Sequence, residues 1–236
     1  MARNYIVLDC EGVDTVKRDD NSVHPETSLF YDLGFVVIDG NTGSILDSYS
    51  FINVDVYDNN DLMTSAYYAW KRKKYDVGRR IEWMEATTLE IWNMFKVICK
   101  RYNVRDVWAY NARYDMQCTN NTIRTMSNGF AHFFTPYGVM WRDVWDYAGS
   151  TLCNTRKYVN WCLTRGYTSD KGNPSTRAEI VYRYLINDDS FIEEHTALAD
   201  AIIEASILLK CKRRKQKARR SIGQGWRDAA AILEQL

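Results

Sequence analysis

Apolar positions along the chain fall into two regimes. Near the N-terminus they come in short dense runs. Residues 4–9 (NYIVLD) are a β-rich apolar run and read as a buried strand. Residues 29–38 (LFYDLGFVVI) read as a second strand, Asn41-Thr42-Gly43 as a turn, and 44–52 (SILDSYSFI) as a third. Two strands joined by so short a turn form a hairpin, so they run antiparallel. The first 53 residues therefore predict a three-stranded meander. The polar stretch 12–28, which contains Pro25, predicts a loop.

From about residue 60 the spacing becomes helical. Ile91, Phe95, Ile98 and Tyr102 step by four, three and four, which predicts a helix over 88–102. Residues 106–110 (DVWAY) predict a fourth strand, 114–127 a helix, 138–142 (GVMWR) a fifth strand, and the region near 144–153 a helix. Pro174-Ser175-Thr176 predicts a helix start, with Pro close to the first helical position. A long helix is expected over 196–214 and a last one over 226–235, after Gly223 and Gly225. Three strands, then alternation, then helices imply an α/β fold. Its five-stranded mixed sheet would be flanked by helices on both faces. No internal repeat and no dividing linker is visible in the 236 residues.

Composition narrows the class. The chain is 46% apolar and 26% charged, as folded chains are. No apolar run approaches the ~18–20 residues that span a bilayer, so no membrane partner is expected. The opening MARNYIVLDCEG is too short and too acidic for a signal peptide, so a cytoplasmic address is expected. None of the six cysteines has C-x2-C spacing, which disfavours a zinc knuckle and favours free thiols. Charge is uneven. Residues 210–220 (KCKRRKQKARR) hold eight of the 31 basic residues and no acid, so the remainder, with 30 acids, carries −7. The basic segment suits phosphates. The acids suit cations, if enough of them converge.

Three places carry candidate chemistry. Asp9 and Glu11 end the first strand, and strand alternation points both to one face. Two carboxylates there repel unless a cation lies between them, although a strand simply ending in polar residues reads the same way. Asp115 stands at the start of the helix after the fourth strand, where an acid also suits the helix dipole. In Glu193-Glu194-His195-Thr196-Ala197-Leu198-Ala199-Asp200, Thr196 is a plausible N-cap that leaves His195 in the loop. Asp200 then sits in the first turns of a helix apolar on most sides.

Taken together these residues resemble the DEDDh 3′–5′ exonucleases, the DnaQ-like branch of the ribonuclease-H-like superfamily. Asp9-Cys10-Glu11 follows Ile6-Val7-Leu8, and Asp32-Leu33-Gly34 is similar to the family's acid–aliphatic–Gly pattern in strand two. Tyr110-Asn111-Ala112-Arg113-Tyr114-Asp115 resembles its second motif, and His195 to Asp200 its third, H-x4-D. Arg142-Asp143-Val144 is a weaker likeness to a family Asp-Thr. Gly12-Val13-Asp14 departs from the small polar residues usual after the first motif. Residues 53–87 and 153–174 look like elaborations of the substrate channel.

The resemblance spans roughly 4–209. It implies an exonuclease domain over 1–209, with 210–236 as a basic segment and C-terminal helix packed on it or extending it. It implies two Mg²⁺ or Mn²⁺ ions held by Asp9, Glu11, Asp115 and Asp200, with His195 as general base. The expected reaction releases nucleoside monophosphates from a single-stranded or frayed 3′ end of DNA or RNA. Arg113, Lys212, Arg213, Arg214 and Lys215 are candidate nucleic-acid contacts. Tyr67, Tyr68 and Trp70 are candidate base-stacking residues, though at helical spacing they also suit a core. The competing readings are an inactive nucleic-acid-binding module of the same fold and a ribonuclease-H-like endonuclease. The oligomeric state is left open.

Overall fold

The computed structural model describes residues 4–16, 24–64, 66, 72–78, 81–218 and 222–233. Its centre is a six-stranded mixed sheet: β1 (Asn4–Asp14), β2 (Ser28–Ile38), β3 (Ile45–Asn53), β4 (Met84–Ala86), β5 (Val104–Ala109) and β6 (Met140–Asp143). The order is β4-β3-β2-β1-β5-β6. The meander is present: β1 pairs antiparallel with β2, and β2 with β3. β5 lies parallel to β1, and β6 parallel to β5.

Two expectations need correction. The sheet has a sixth strand, β4, on the edge beside β3. Three residues, two of them exposed, are too few to show a period in the sequence. Residues 12–14 are strand, not loop. β1 continues past a register shift at Glu11/Gly12 and pairs Gly12, Val13 and Asp14 with Phe30, Leu29 and Ser28. The stretch reads as loop because only one of its three residues, Val13, is apolar and fully buried.

Short helices α1 (Val54–Tyr57), α2 (Asn60–Met63) and α3 (Arg72–Gly78) follow the meander. α4 (Thr88–Arg101) opens with a capping box in which Thr87 and Glu90 bond reciprocally. α5 (Arg113–Met126) follows β5, and α6 (Val144–Ala148) runs into a π-helical turn (Gly149–Cys153). α7 (Arg156–Arg165) lies within the 153–174 elaboration. α8 (Ala178–Ile186) begins later than Pro174-Ser175-Thr176 suggests. Pro174 is in an isolated bridge with Thr168, and the Thr176 hydroxyl accepts a bond from the Trp145 indole N–H, which holds this segment outside the helix. α9 (Ala197–Lys212) and α10 (Trp226–Leu233) complete the chain.

Alternation along the strands builds two cores. Tyr5, Val7, Val36 and Ile38 face one side, with Ile203, Ile207 and Leu208 of α9. Ile6, Leu8, Phe35 and Val37 face the other, with Ile91 and Phe95 of α4 and Cys118 of α5. Helices thus cover both faces, as expected, and β2 is buried along its whole length. All six cysteines are buried and free.

β2 and the start of α9 come into backbone contact at Gly34. A Cβ on Gly34 would lie 2.0 Å from the Leu198 nitrogen and 2.3 Å from the Ala197 carbonyl carbon. Those are backbone atoms and cannot rotate away. Gly34→Ala should therefore lower stability by about 3 kcal/mol, the upper end of overpacking costs. The urea midpoint should fall accordingly; a midpoint equal to wild type would mean that α9 does not rest on β2 here.

Candidate active site

β1 alternation puts Asp9 and Glu11 on the α9 face, in register with Gly34 and Asp32 of β2. Because Gly34 lets the first turn of α9 approach, Asp200 reaches the same place. Asp9, Glu11 and Asp200 each offer a carboxylate oxygen, and these oxygens lie within 4.8 Å of one another. That spacing suits a shared divalent cation.

Asp115, in the first turn of α5, is buried beside them. Its carboxylate accepts the Cys10 amide N–H at 3.0 Å. Burial pushes the Asp115 carboxyl up to about 7, partly offset by the hydrogen bonds from Cys10. Asp9 is driven up by burial first and then by the charges of Asp115, Glu204, Asp200 and Glu11. His195 sits before α9 with a left-handed φ of 53°. Its Nδ1 is 3.6 Å from Glu193 and 4.0 Å from Asp200. The structure therefore brings the five candidate residues together at the ends of β1 and β5 and the starts of α5 and α9.

The His195 loop is held by buried bonds. Thr196 precedes α9 but its side chain caps nothing. Asp32 of β2 performs the cap instead, accepting the Ala197 N–H at 3.0 Å and the Tyr75 hydroxyl at 2.8 Å. Burial raises the Asp32 carboxyl to about 6 in spite of these donors. Lys74 forms an ion pair with Glu194. Two neighbouring residues of α3 thus brace the loop that carries His195.

Two further acids escaped the sequence reading as site residues. Glu204, one turn beyond Asp200, is buried and accepts the Tyr110 N–H at 3.0 Å. Burial, and then Asp115, push its carboxyl well up. The signal was present: Glu204 stands among the apolar residues of ALADAIIEASILL, where a carboxylate has little solvent to reach. Asp143 caps α6 through Trp145 and Asp146, and also accepts the N–H groups of Asn111 (3.3 Å) and Gly223 (2.7 Å). It is an anchor for the turn that precedes Asp115.

The basic candidates separate. Arg113 is exposed at the start of α5. Lys212 turns inward, with its ammonium 4.3 Å from the Tyr5 ring centre and 5.1 Å from that of Trp108. Burial lowers its pKa. Arg213, Arg214 and Lys215 are exposed just past the end of α9. Tyr67, Tyr68 and Trp70 lie outside the described residues.

No protein-family model matches the sequence, and no curated protein matches it. Solved structures do. Product-bound exonuclease I aligns with a TM-score of 0.56 and 14% identity over 91% of this chain and 45% of its own. E. coli exonuclease I in complex with a dA16 oligonucleotide gives 0.55 and 17% over 90% and 42%. A full-length 3′-exonuclease gives 0.59 and 12% over 92% and 85%. The fold is that of the ribonuclease-H-like 3′-exonucleases. At these identities the likeness is one of fold, and the chain spans less than half the length of the exonuclease I chains. Among the described residues, no helix is long and apolar enough to cross a membrane.

The raised carboxyls set a pH dependence. Asp115 (about 7), Asp32 (about 6) and Asp143 (about 6) hold protons more tightly folded than unfolded, where the value is near 3.8. Metal-free stability is therefore greatest below about pH 4 on this account and is lost as pH rises towards about 7. Asp9→Asn removes one of the repelling charges. In EDTA its Tm should exceed that of wild type at pH 7 and the two should converge near pH 4. A lower Tm for Asp9→Asn at pH 7 would contradict the repulsion.

Proposed function

We propose that the chain is a metal-dependent 3′–5′ exonuclease acting on an unpaired 3′ end. The observation that carries this reading is the convergence of Asp9, Glu11 and Asp200 within 4.8 Å, with Asp115 and His195 against them. The donor set fits divalent cations: the oxygens are hard ligands, and the neighbours that push Asp9 up are themselves acids. Asp9, Glu11 and Asp200 would hold one ion, and Asp9 with Asp115 a second. When bound, two such ions, Mg²⁺ or Mn²⁺, acidify a water and stabilise the departing 3′-oxygen.

The chain's own residues supply the rest. His195 takes the proton of the attacking water. Glu193 stands beside Nδ1, opposite in charge to the imidazolium that the transfer creates. Asp32 and Lys74 keep the loop in place while this happens. Arg113, Arg213, Arg214 and Lys215 meet phosphates, whereas Lys212 is given over to packing on Tyr5 and Trp108. The partners are nucleic acids. The matched structures support this, since one holds a dA16 oligonucleotide and another is described as 3′-end specific recognition of a histone mRNA stem-loop.

Digestion of single-stranded DNA and RNA, labelled at the 3′ or the 5′ end, tests the reading. With Mg²⁺ or Mn²⁺ the 3′ label should leave first as a mononucleotide, and EDTA should stop it. Asp9→Asn should be inactive in saturating Mn²⁺. Retained 3′ label throughout, or wild-type turnover by Asp9→Asn, would sink the proposal.

His195→Ala should lose ~10²–10⁴-fold in rate, the usual worth of a general base. Activity should rise with pH as a general base loses its proton, and that rise should vanish in the variant. A pH profile unchanged in the variant would place the proton transfer on another group.

Replacing Arg213, Arg214 and Lys215 with Gln should weaken binding and reduce the salt slope by up to ~0.7 per lost contact on single strands. Turnover at saturating substrate should hold. An unaltered salt slope would leave these cations as a solvated helix end.

A further inference from the structure

A cavity of about 900 Å³ opens beside the acid cluster; His195 lines it, and so does Asn111 of the turn before Asp115. The volume is near the upper end for ligand pockets, ~300–1,000 Å³. Tyr110, Trp145, Tyr167 and Trp226 stand on its walls. The Tyr110 and Trp145 rings stack on each other at 6.4 Å. Their polar edges are already engaged within the wall: the Trp145 N–H donates to the Thr176 hydroxyl at 2.9 Å, and the Tyr110 hydroxyl donates to the Thr176 carbonyl. Rings so fixed are stacking platforms rather than hydrogen-bonding groups.

Trp226 arrives from the other end of the sequence. It opens α10 and is 49% exposed, a large apolar surface at the cavity mouth. The segment before it is fastened. Gly223 N–H donates to Asp143 at 2.7 Å and Gln224 N–H to Asp146 at 2.6 Å. At Gly225 any Cβ would lie 2.3 Å from the Trp145 ring, so this position needs glycine for the backbone to come so close. The placement of Trp226 is therefore built, not incidental.

The charges lining the cavity are mixed. Lys171 and Arg177 face it, and so do Asp170 and Glu193. A wall of balanced charge does not gather phosphates by field alone. Aromatic faces do bind bases irrespective of sequence, each stack being worth a five-fold or greater factor in affinity.

We propose that this cavity is a subsite for the unpaired nucleotides next to the scissile phosphate, with Trp226 as a base-stacking wall and Lys171 and Arg177 as phosphate contacts. This rests on the exonuclease reading above. It adds that the C-terminal helix takes part in holding substrate, through stacking rather than through the basic stripe.

The test uses the full chain carrying Asp9→Asn in Mg²⁺, with fluorescently labelled (dT)₄ and (U)₄ as probes and polarisation as the readout. Adding Trp226→Ala should weaken binding of at least one probe roughly tenfold. Trp226→Phe, which keeps a ring, should stay within about threefold. Equal affinity for Trp226→Ala and its parent overturns the subsite. So does an equal loss in the Ala and Phe variants, since that reports lost packing of α10. Absence of tetranucleotide binding by the parent also overturns it. Release of the 3′ label by the chain with Asp9 intact is scored separately: if that persists, only the subsite fails, and if it is absent, the exonuclease reading fails too.

Discussion

The candidate site depends on one contact, the landing of the first turn of α9 on β2. Gly34 and Asp32 are two residues apart on the same strand face, and they act together. Gly34 provides the space, since any side chain would run into the backbone of Ala197 and Leu198. Asp32 provides the bond, by accepting the Ala197 N–H that Thr196 leaves uncapped. From that fixed start, one turn of helix carries Asp200 to Asp9 and Glu11, which stand in register with the same two residues of β2. Displacement of α9 by a few tenths of an ångström would be felt directly at the carboxylate cluster.

The cluster is electrostatically unfavourable as it stands, and the surrounding structure is arranged to bear it. Both Asp115 and Asp200 lie in first turns of helices, where backbone N–H groups and the helix dipole favour negative charge. The loops that bracket the cluster carry backbone strain: His195 and Asn111 adopt left-handed φ values of 53° and 59°. Each is overdetermined by buried acids. Asp32 holds the residue two beyond His195, while Glu204 and Asp143 hold the N–H groups of Tyr110 and Asn111. Burying so many acids costs stability, a cost that the divalent cations proposed for the site would offset.

Much of this was legible in the sequence, for identifiable reasons. The meander follows from short dense apolar runs and a glycine turn. Asp9 and Glu11 share a face because strands alternate, and His195 lies outside α9 because a histidine five residues from Asp200 does not suit one helical face. What stayed hidden depended on tertiary partners. Strand β4 is too short to have a period. Residues 12–14 read as loop because only Val13 is buried there. Lys212 reads as one more cation of the basic stripe in the sequence, and only the fold shows its ammonium over the Tyr5 and Trp108 rings. Asp32 entered as part of a pattern, and its role as the cap of a helix 165 residues away is a fact of three dimensions.

The same logic explains why the C-terminal segment belongs with the site. Asp143 binds Asn111 on one side and Gly223 on the other. The turn leading to Asp115 and the turn leading to Trp226 therefore share one buried carboxylate. Under the proposed function, a polyanionic substrate would approach an acidic body without field support beside the carboxylate cluster. Two devices are available: cations set apart from the cluster, as at Arg213, Arg214 and Lys215, and aromatic surfaces that bind bases whatever the local sign of charge. The structure has both, and it places the aromatic one against His195.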